Sequence, residues 1–159
     1  MDSGGYGRYV NQPNTSRLPS IDSLDELADV LARDRGLYVR WSRGPGVDLP
    51  DVSSRDDLTG VPLPGLSANS LDAEPWWGER PLHTWAARRL YDYSHLPRVK
   101  DPRVRPWLLR GREVGRGPDN EPLVTDVEPL GWISDRVIEE AASEVERQPN
   151  GWGPLDRHA

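Results

Sequence analysis

The sequence predicts an α+β fold, a small, largely antiparallel or mixed sheet with about three helices. Some segments repeat apolar residues at helical spacing, others alternate them at strand spacing, and the two kinds are interleaved along the chain. The length of 159 residues fits one domain with short tails. We therefore expect a disordered N-terminal tail over 1–19, a single domain over 20–148 and a C-terminal tail over 149–159.

The first helix and the first strand are predicted from capping and from side-chain alternation. Ser23 and Glu26 are spaced as a capping box, and Gly36 is expected to end the helix. One apolar stripe follows the cap and consists of Leu24, Leu27, Ala28 and Leu31. Residues 37–42 alternate apolar and polar side chains, which predicts a strand. Residues 47–64 are expected to form a long irregular loop of the kind that often covers a site.

The rest of the chain supplies two more helices and the remaining strands. We predict a short strand over 65–71, a helix over 81–93, strands over 107–109 and 123–127 that Trp132 and Ile133 extend, and a final helix capped by Ser134. A tight turn between the later strands is expected at three glycines, Gly111, Gly115 and Gly117. Trp76 and Trp77 are interpreted as core anchors or, if exposed, as a stacking platform.

The charge is unevenly distributed, and its balance limits the partners. The formal net charge of −6 argues against a general nucleic-acid binder. Residues 98–116 form a basic segment in which only Asp101 and Glu113 oppose seven cations, namely Arg98, Lys100, Arg103, Arg105, Arg110, Arg112 and Arg116. Such a segment is either a solvated surface or a site for an anion, because arginine forks match phosphate. The partner that it implies is a small anionic ligand or an acidic protein.

Several common chemistries are absent from the sequence. It contains no P-loop, no glycine motif for dinucleotides, no zinc-protease motif and no nucleophile elbow. There are no cysteines and the three histidines are spread out, so we expect no metal site. We expect no membrane span, because no apolar run approaches the roughly 20 residues that one needs. The lack of cysteine fits a reducing compartment, which predicts a cytoplasmic protein.

Arg40 is the first candidate site residue, because it lies in the middle of a predicted strand on the face of Tyr38 and Ser42. A guanidinium on a half-buried strand is costly unless it is paired or holds a ligand. The structural interpretation is an ion pair with one of the many carboxylates. The functional interpretation is an anion site to which Ser42 and the basic Arg116 also contribute.

Two further segments offer polar side chains. Ser67, Asn69 and Ser70 lie in the second predicted strand, where they serve either turn formation or ligand binding. Asp119 and Glu121 directly follow the glycine-rich turn, where they either solvate a loop or face a bound group.

An arginine on an early strand, a serine-rich strand and a late acidic residue follow one another in an order that resembles the ADP-ribosyltransferase-like folds. The resemblance implies NAD as the cofactor, with Arg40 on the phosphate of the nicotinamide nucleotide. It also implies that Ser67 and Ser70 brace the pocket. Glu121 would then hold a ribose hydroxyl and stabilise an oxocarbenium-like transition state.

Four segments, 37–42, 65–71, 85–93 and 116–124, resemble a family of uncharacterised actinobacterial proteins. This resemblance covers about 37–133 and implies no activity, fold or ligand. The sequence thus leaves two functions open. One is a domain that binds a phosphate-bearing nucleotide such as NAD. The other is a non-catalytic interaction domain, whose basic segment and Trp-bearing loop meet an acidic partner or the chain's own acidic C-terminal helix.

Overall fold

The structure is a computed structural model that describes residues 18–49, 64–93, 103–118 and 120–148. Its elements in chain order are β1 (Ser20–Ile21), α1 (Leu24–Arg33), β2 (Leu37–Ser42), α2 (Pro45–Asp48), β3 (Leu66–Ser67), β4 (Asn69–Ser70), a 3₁₀ turn (Pro75–Trp77), α3 (Leu82–Tyr93), β5 (Arg105–Arg116), β6 (Pro122–Ile133) and α4 (Asp135–Arg147). The predicted α+β class is confirmed. The predicted tails over 1–17 and 149–159, and most of the predicted loop, lie outside the described residues.

The described strands form one sheet in the order β1-β6-β5-β2-β4. β1 runs parallel to β6 and the other pairs are antiparallel, so the sheet is mixed, as predicted. β3 pairs with β6, β4 pairs with β2, and only Ala68 separates β3 from β4. The strands β2, β5 and β6 are neighbours in that order, and the segment 66–70 pairs with both β2 and β6. The sheet therefore curls back on itself. Register shifts in the long β5–β6 hairpin allow it to follow this curl.

Two apolar clusters lie on the two sides of the sheet. The larger one packs the sheet against α1, α3 and α4 and includes Leu27, Leu37, Val39, Trp85, Leu90, Leu108, Val137 and Ala141. The smaller one lies on the opposite side, which we call the inner face, and consists of Tyr38, Ala68, Trp107, Leu109 and Val124. The alternation of β2 divides its side chains between the two clusters, as its sequence predicts.

The first helix begins as its capping box predicts. Ser23 Oγ accepts a hydrogen bond from the Glu26 N–H at 3.0 Å. The Glu26 carboxylate in turn accepts from the Asp22 N–H at 3.0 Å, one residue before the N-cap. Both bonds satisfy backbone donors near the start of the helix.

The end of α1 differs from the prediction. Its C-cap is Asp34, so Gly36 does not end the helix. Gly36 instead forms the turn into β2, where its φ of +69° favours glycine. The Asp72 carboxylate fixes this turn, because it accepts the N–H of Gly36 at 2.9 Å and that of Leu37 at 3.1 Å.

The β5–β6 hairpin is longer than the sequence predicts. Gly111 and Gly115 lie inside β5, and the turn forms at Gly117, whose N–H donates to the Glu121 carbonyl at 2.8 Å. Gly111 is required within the strand, because a Cβ at that position would overlap Val124 Cγ1. The predicted tight turn over three glycines is therefore wrong for the first two of them.

Two shorter segments also differ from the prediction. Val47 and Asp48, expected to begin the irregular loop, instead belong to α2, which starts at Pro45. Ser134 is the N-cap residue of α4, as expected, but its hydroxyl makes no capping hydrogen bond.

The tryptophans before α3 are core anchors. Trp77 is buried, and the rings of Trp76 and Trp77 meet Trp85 of α3 edge to face, with centroids 5.6 and 5.4 Å from the Trp85 ring. Trp77 Nε1 donates to the Pro81 carbonyl at 3.2 Å, and the Arg80 guanidinium lies 4.0 Å from the Trp77 ring centroid. The alternative of an exposed stacking platform is wrong for Trp77.

A buried carboxylate joins α3 to α4. Glu144 accepts hydrogen bonds from Thr84 Oγ1 at 2.8 Å, from Gln148 Nε2 at 2.6 Å and from Arg147, and His83 Nε2 lies 3.5 Å away. Burial alone raises the pKa of Glu144. The hydrogen bonds from Thr84 and Arg147 and the charges of Arg147 and His83 outweigh that effect and hold the pKa below its ordinary value.

Candidate functional site

Arg40 lies on the inner face, as the alternation of β2 predicts. It stands opposite Trp107 of β5, and Tyr38 stands opposite Leu109. Residues that are directly opposite in an antiparallel pair share a face. Because Trp107 and Leu109 belong to the inner-face cluster, Arg40 lies beside buried side chains.

The Arg40 guanidinium is held by two groups. Its Nε donates to Asp48 Oδ2 at 2.6 Å, and its Nη1 donates to the Ser67 carbonyl oxygen at 2.6 Å. The side chain of Arg40 is 18% exposed and that of Asp48 is 10% exposed. The ion pair of the structural interpretation therefore exists, and its carboxylate comes from α2, an element that the sequence analysis did not predict.

Ser42 is hydrogen-bonded to the carboxylate of this ion pair. Its Oγ donates to Asp48 Oδ2 at 2.5 Å and accepts from the Gly44 N–H at 3.0 Å and from Trp107 Nε1 at 2.9 Å. A hydroxyl has one donor and two acceptor positions. All three are used, so in this structure Ser42 positions Asp48.

Ser67 connects the early strand to the late acidic turn. Its carbonyl accepts from Arg40, and its Oγ lies 3.2 Å from Glu121 Oε2 as the donor of a hydrogen bond. Gly117 leaves room for the Glu121 carboxylate, which a Cβ at that position would overlap. Four of the residues proposed from the sequence thus share one neighbourhood: Arg40, Ser42, Ser67 and Glu121.

Four more residues were proposed from the sequence: Asn69, Ser70, Arg116 and Asp119. Ser70 stands opposite Tyr38 and shares the inner face, whereas Asn69 stands opposite Val39, on the side of the helices. Arg116 lies at the end of the hairpin, where its Nε is 3.2 Å from a Glu113 carboxylate oxygen and its Nη1 donates to the Asn120 carbonyl. Asp119 lies outside the described residues.

Tyr38 is an inner-face residue that the sequence analysis did not propose for the site. Burial raises the pKa of its hydroxyl, the charges of Glu113 and Asp72 raise it further, and Arg116 opposes them. The ordinary pKa of a tyrosine already lies well above neutral, so this rise leaves the Tyr38 hydroxyl protonated at neutral pH. The sequence feature that could have identified Tyr38 is its position two residues before Arg40, which places both side chains on one face of a strand.

The later arginines of the basic segment pair with carboxylates of the same chain. Arg110 lies 3.0 Å from Asp34 and 2.9 Å from Glu128, and Arg112 lies 3.1 Å from Asp126. These carboxylates belong to β6 and to the end of α1. The alternative in which the basic segment docks on the acidic C-terminal helix is therefore wrong for these two residues.

Arg105, at the other end of β5, has a different environment. Its guanidinium lies 4.2 Å from the centroid of the Trp132 ring. Trp132 stands opposite Trp107 and packs against the inner-face cluster. The described part of the basic segment thus includes ion pairs of Arg110 and Arg112 as well as this cation–π contact near the ends of β2 and β6. Arg98 and Lys100 lie outside the described residues.

A groove of about 530 Å³ lies elsewhere, beside the C-terminal end of α1 and the 3₁₀ turn. Its lining combines apolar side chains with charges of both signs and includes Leu31, Ala73, Leu82, Arg35, Arg80, Glu74 and Glu79. None of Arg40, Ser67 and Glu121 lines it. The groove and the neighbourhood of Arg40 are therefore different places on the molecule.

The described residues lack a metal-binding cluster and a membrane-spanning helix. Within 18–49, 64–93, 103–118 and 120–148, no group of three or more histidine, aspartate or glutamate side chains is placed to hold a metal ion. In the same ranges, no helix has the length and apolar character to cross a membrane.

Comparison with known proteins defines the class of the chain. A family model described as a family of unknown function, DUF6098, matches residues 14–153. The chain belongs to this family. Searches of curated proteins and of solved structures found no match.

Proposed function

We propose that the domain binds a small phosphate-bearing ligand of the NAD type on the inner face beside Arg40. The observation that supports this most directly is the position of Ser67. It contacts Arg40 through its carbonyl at 2.6 Å and Glu121 through its hydroxyl at 3.2 Å. A cation and a carboxylate from distant parts of the sequence thus both contact Ser67.

Arg40 suits a phosphate for physical reasons. A guanidinium forms paired, charge-assisted hydrogen bonds with phosphate oxygens. Asp48 and the Ser67 carbonyl fix the orientation of Arg40 before a ligand arrives, which reduces the entropy that binding must overcome. The 18% exposure of the Arg40 side chain gives a ligand access without unfolding.

Glu121 suits the ribose of such a ligand, because a carboxylate accepts hydrogen bonds from hydroxyl groups. In a catalytic version of the proposal, the reaction is glycosyl transfer. The bond from the ribose carbon to nicotinamide breaks, and nicotinamide leaves with the electron pair as the neutral base. An oxygen of water or of an acceptor hydroxyl bonds to that carbon and releases its proton to the solvent. The Glu121 carboxylate would stabilise the positive charge that develops on the sugar.

Thermal denaturation with NAD, ADP-ribose and nicotinamide tests the binding proposal. We expect NAD and ADP-ribose to raise the Tm of the native chain and nicotinamide, which has no phosphate, to leave it unchanged. The double variant Arg40→Gln with Asp48→Asn keeps a neutral hydrogen-bonded pair and should lose the shift. Arg112→Gln removes a charge of the same kind elsewhere and should keep it. An unchanged Tm with NAD into the millimolar range would overturn the proposal.

Release of nicotinamide from NAD tests the catalytic version separately. We expect Glu121→Gln to release nicotinamide about 100-fold more slowly than the native chain while it still binds ADP-ribose, because the lost carboxylate acts on the transition state. Glu128→Gln, an exposed glutamate of β6, is the matched control and should match the native rate. Binding without any release by the native chain would leave a binding domain and eliminate the transferase.

A further inference from the structure

We infer that Arg105 is a second anion-binding residue of the inner face, so that the ligand carries two linked anionic groups, as a diphosphate does. This inference rests on the proposed function, because Arg105 acts on the same ligand as Arg40. The first observation is the register of β2 and β5. Arg105 stands opposite Ser42, and Arg40 stands opposite Trp107.

That register makes Arg40 and Arg105 diagonal neighbours on one face of the sheet. Diagonal Cα atoms of an antiparallel pair lie about 7–8 Å apart, within reach of long side chains. The two guanidinium groups are therefore close enough to contact one ligand on the inner face. The sequence analysis counted Arg105 only as one member of the basic segment, although it has the strand parity of Trp107.

The Arg105 guanidinium has a defined orientation. It lies 4.2 Å from the Trp132 ring centroid, and Trp132 packs against the inner-face cluster. An arginine that lies over an indole is held through its flat face, and the N–H groups at its edge still point outward. Those N–H groups form the fork that binds phosphate oxygens in pairs.

The contact of Arg105 differs in kind from those of Arg40 and Arg112. Arg40 is paired with Asp48, and Arg112 is paired with Asp126. Within the described ranges, no carboxylate forms an ion pair with Arg105, whose contact there is the Trp132 ring. Arg105 therefore adds positive charge at this end of the inner face, and an anion that reaches Arg40 gains from extending toward it.

A ligand with two anionic groups contacts both arginines, whereas a ligand with one contacts a single arginine. We therefore expect the domain to prefer ADP over AMP and inorganic pyrophosphate over inorganic phosphate. The expected preference is at least about tenfold, the size of one additional charge-assisted hydrogen bond.

Calorimetric titration of the full chain with ADP and with AMP, at one fixed ionic strength, tests this inference. We expect Arg105→Gln to weaken ADP binding about tenfold, to change AMP binding little, and so to remove the preference. Arg112→Gln makes the same change in net charge on the same strand and should keep the preference. Trp132→Leu should weaken ADP binding in the same direction, because it removes the surface that orients Arg105.

The outcomes separate the two proposals. Equal affinity of the native chain for ADP and AMP, or a preference that survives Arg105→Gln, overturns the role of Arg105 and leaves the binding site at Arg40 standing. No binding of either nucleotide by the native chain overturns both. Circular dichroism of Arg105→Gln tests whether the variant folds. We expect it to fold, because Arg105 is exposed.

Discussion

Two carboxylates with little exposed surface, Asp48 on the inner face and Glu144 in the helix layer, have different surroundings. The Asp48 side chain is 10% exposed and pairs with an arginine that is itself partly accessible to solvent. The Glu144 side chain is 5% exposed and is bonded to Thr84, Arg147 and Gln148. Glu144 joins two helices through hydrogen bonds, whereas Asp48 orients an arginine whose side chain is 18% exposed. The two carboxylates therefore differ less in their own burial than in the exposure of their partners.

The largest expected effect is the loss of the Glu144 network. We expect Glu144→Ala to lower the free energy of unfolding by about 3 kcal/mol, because it leaves the buried Thr84 hydroxyl without its partner. Urea denaturation followed by tryptophan fluorescence measures the change. Glu146→Ala, on the exposed side of the same helix, is the control and should change little. A similar loss in both variants would contradict the structural role of Glu144.

Asp48→Asn should have a smaller effect. The amide keeps a hydrogen-bonding oxygen for Ser42 and Arg40 but removes the charge, which we expect to cost about 1.5 kcal/mol of unfolding free energy. The partial exposure of Arg40 lets water replace some of the lost interaction. The same denaturation assay measures this, with Asp126→Asn on the exposed hairpin as the control. A loss larger than that of Glu144→Ala would reverse the comparison.

Acid should weaken the helix layer through Glu144 in a gradual way. Because folding lowers the pKa of Glu144, its contribution to stability is complete above the unfolded value of 4.5 and is lost as the pH falls through the lower folded pKa. The protonated carboxyl keeps its place and some hydrogen bonds, so this loss is smaller than that of Glu144→Ala. Unfolding free energies from about pH 6 to about pH 3 should decline less steeply in Glu144→Gln than in the native chain. Parallel curves would contradict the prediction.

The smallest expected effect concerns an exposed ion pair. The side chains of Arg112 and Asp126 are 66% and 69% exposed. We expect Arg112→Gln to change the free energy of unfolding by no more than about 0.5 kcal/mol, because water screens such pairs. This makes it a suitable control for Arg40 and Arg105. A change above about 1 kcal/mol would show that the hairpin depends on its surface charges.

Local signals in the sequence were sufficient for several elements. The capping box at Ser23 predicts the start of α1, and the alternation over 37–42 predicts β2 with its correct bounds. β1 could not be predicted, because two residues carry no periodicity. It is held by main-chain contacts with β6, where the Trp132 N–H donates to the Pro19 carbonyl at 2.8 Å.

The site was harder to predict because its contacts cross the fold. The position of Arg40 on a polar face follows from alternation, and a carboxylate partner was one of the stated alternatives. The identity of that partner depends on α2, a single helical turn with weak local signals. The contact between Ser67 and Glu121 depends on the pairing of β3 with β6, which no local pattern indicates.

The short segment 66–70 also has a consequence for the order of folding. It pairs with β2 on one side and with β6 on the other, so its place exists only after the hairpin has docked on β2. Contacts between such distant parts of a chain form slowly, because the intervening loops must first lose their freedom. Arg40 and Glu121 both contact Ser67 of this segment. We therefore expect the two residues to approach each other late in folding. The signal of a probe that detects this approach would change when folding is completed. It would not change during the earlier formation of the helices.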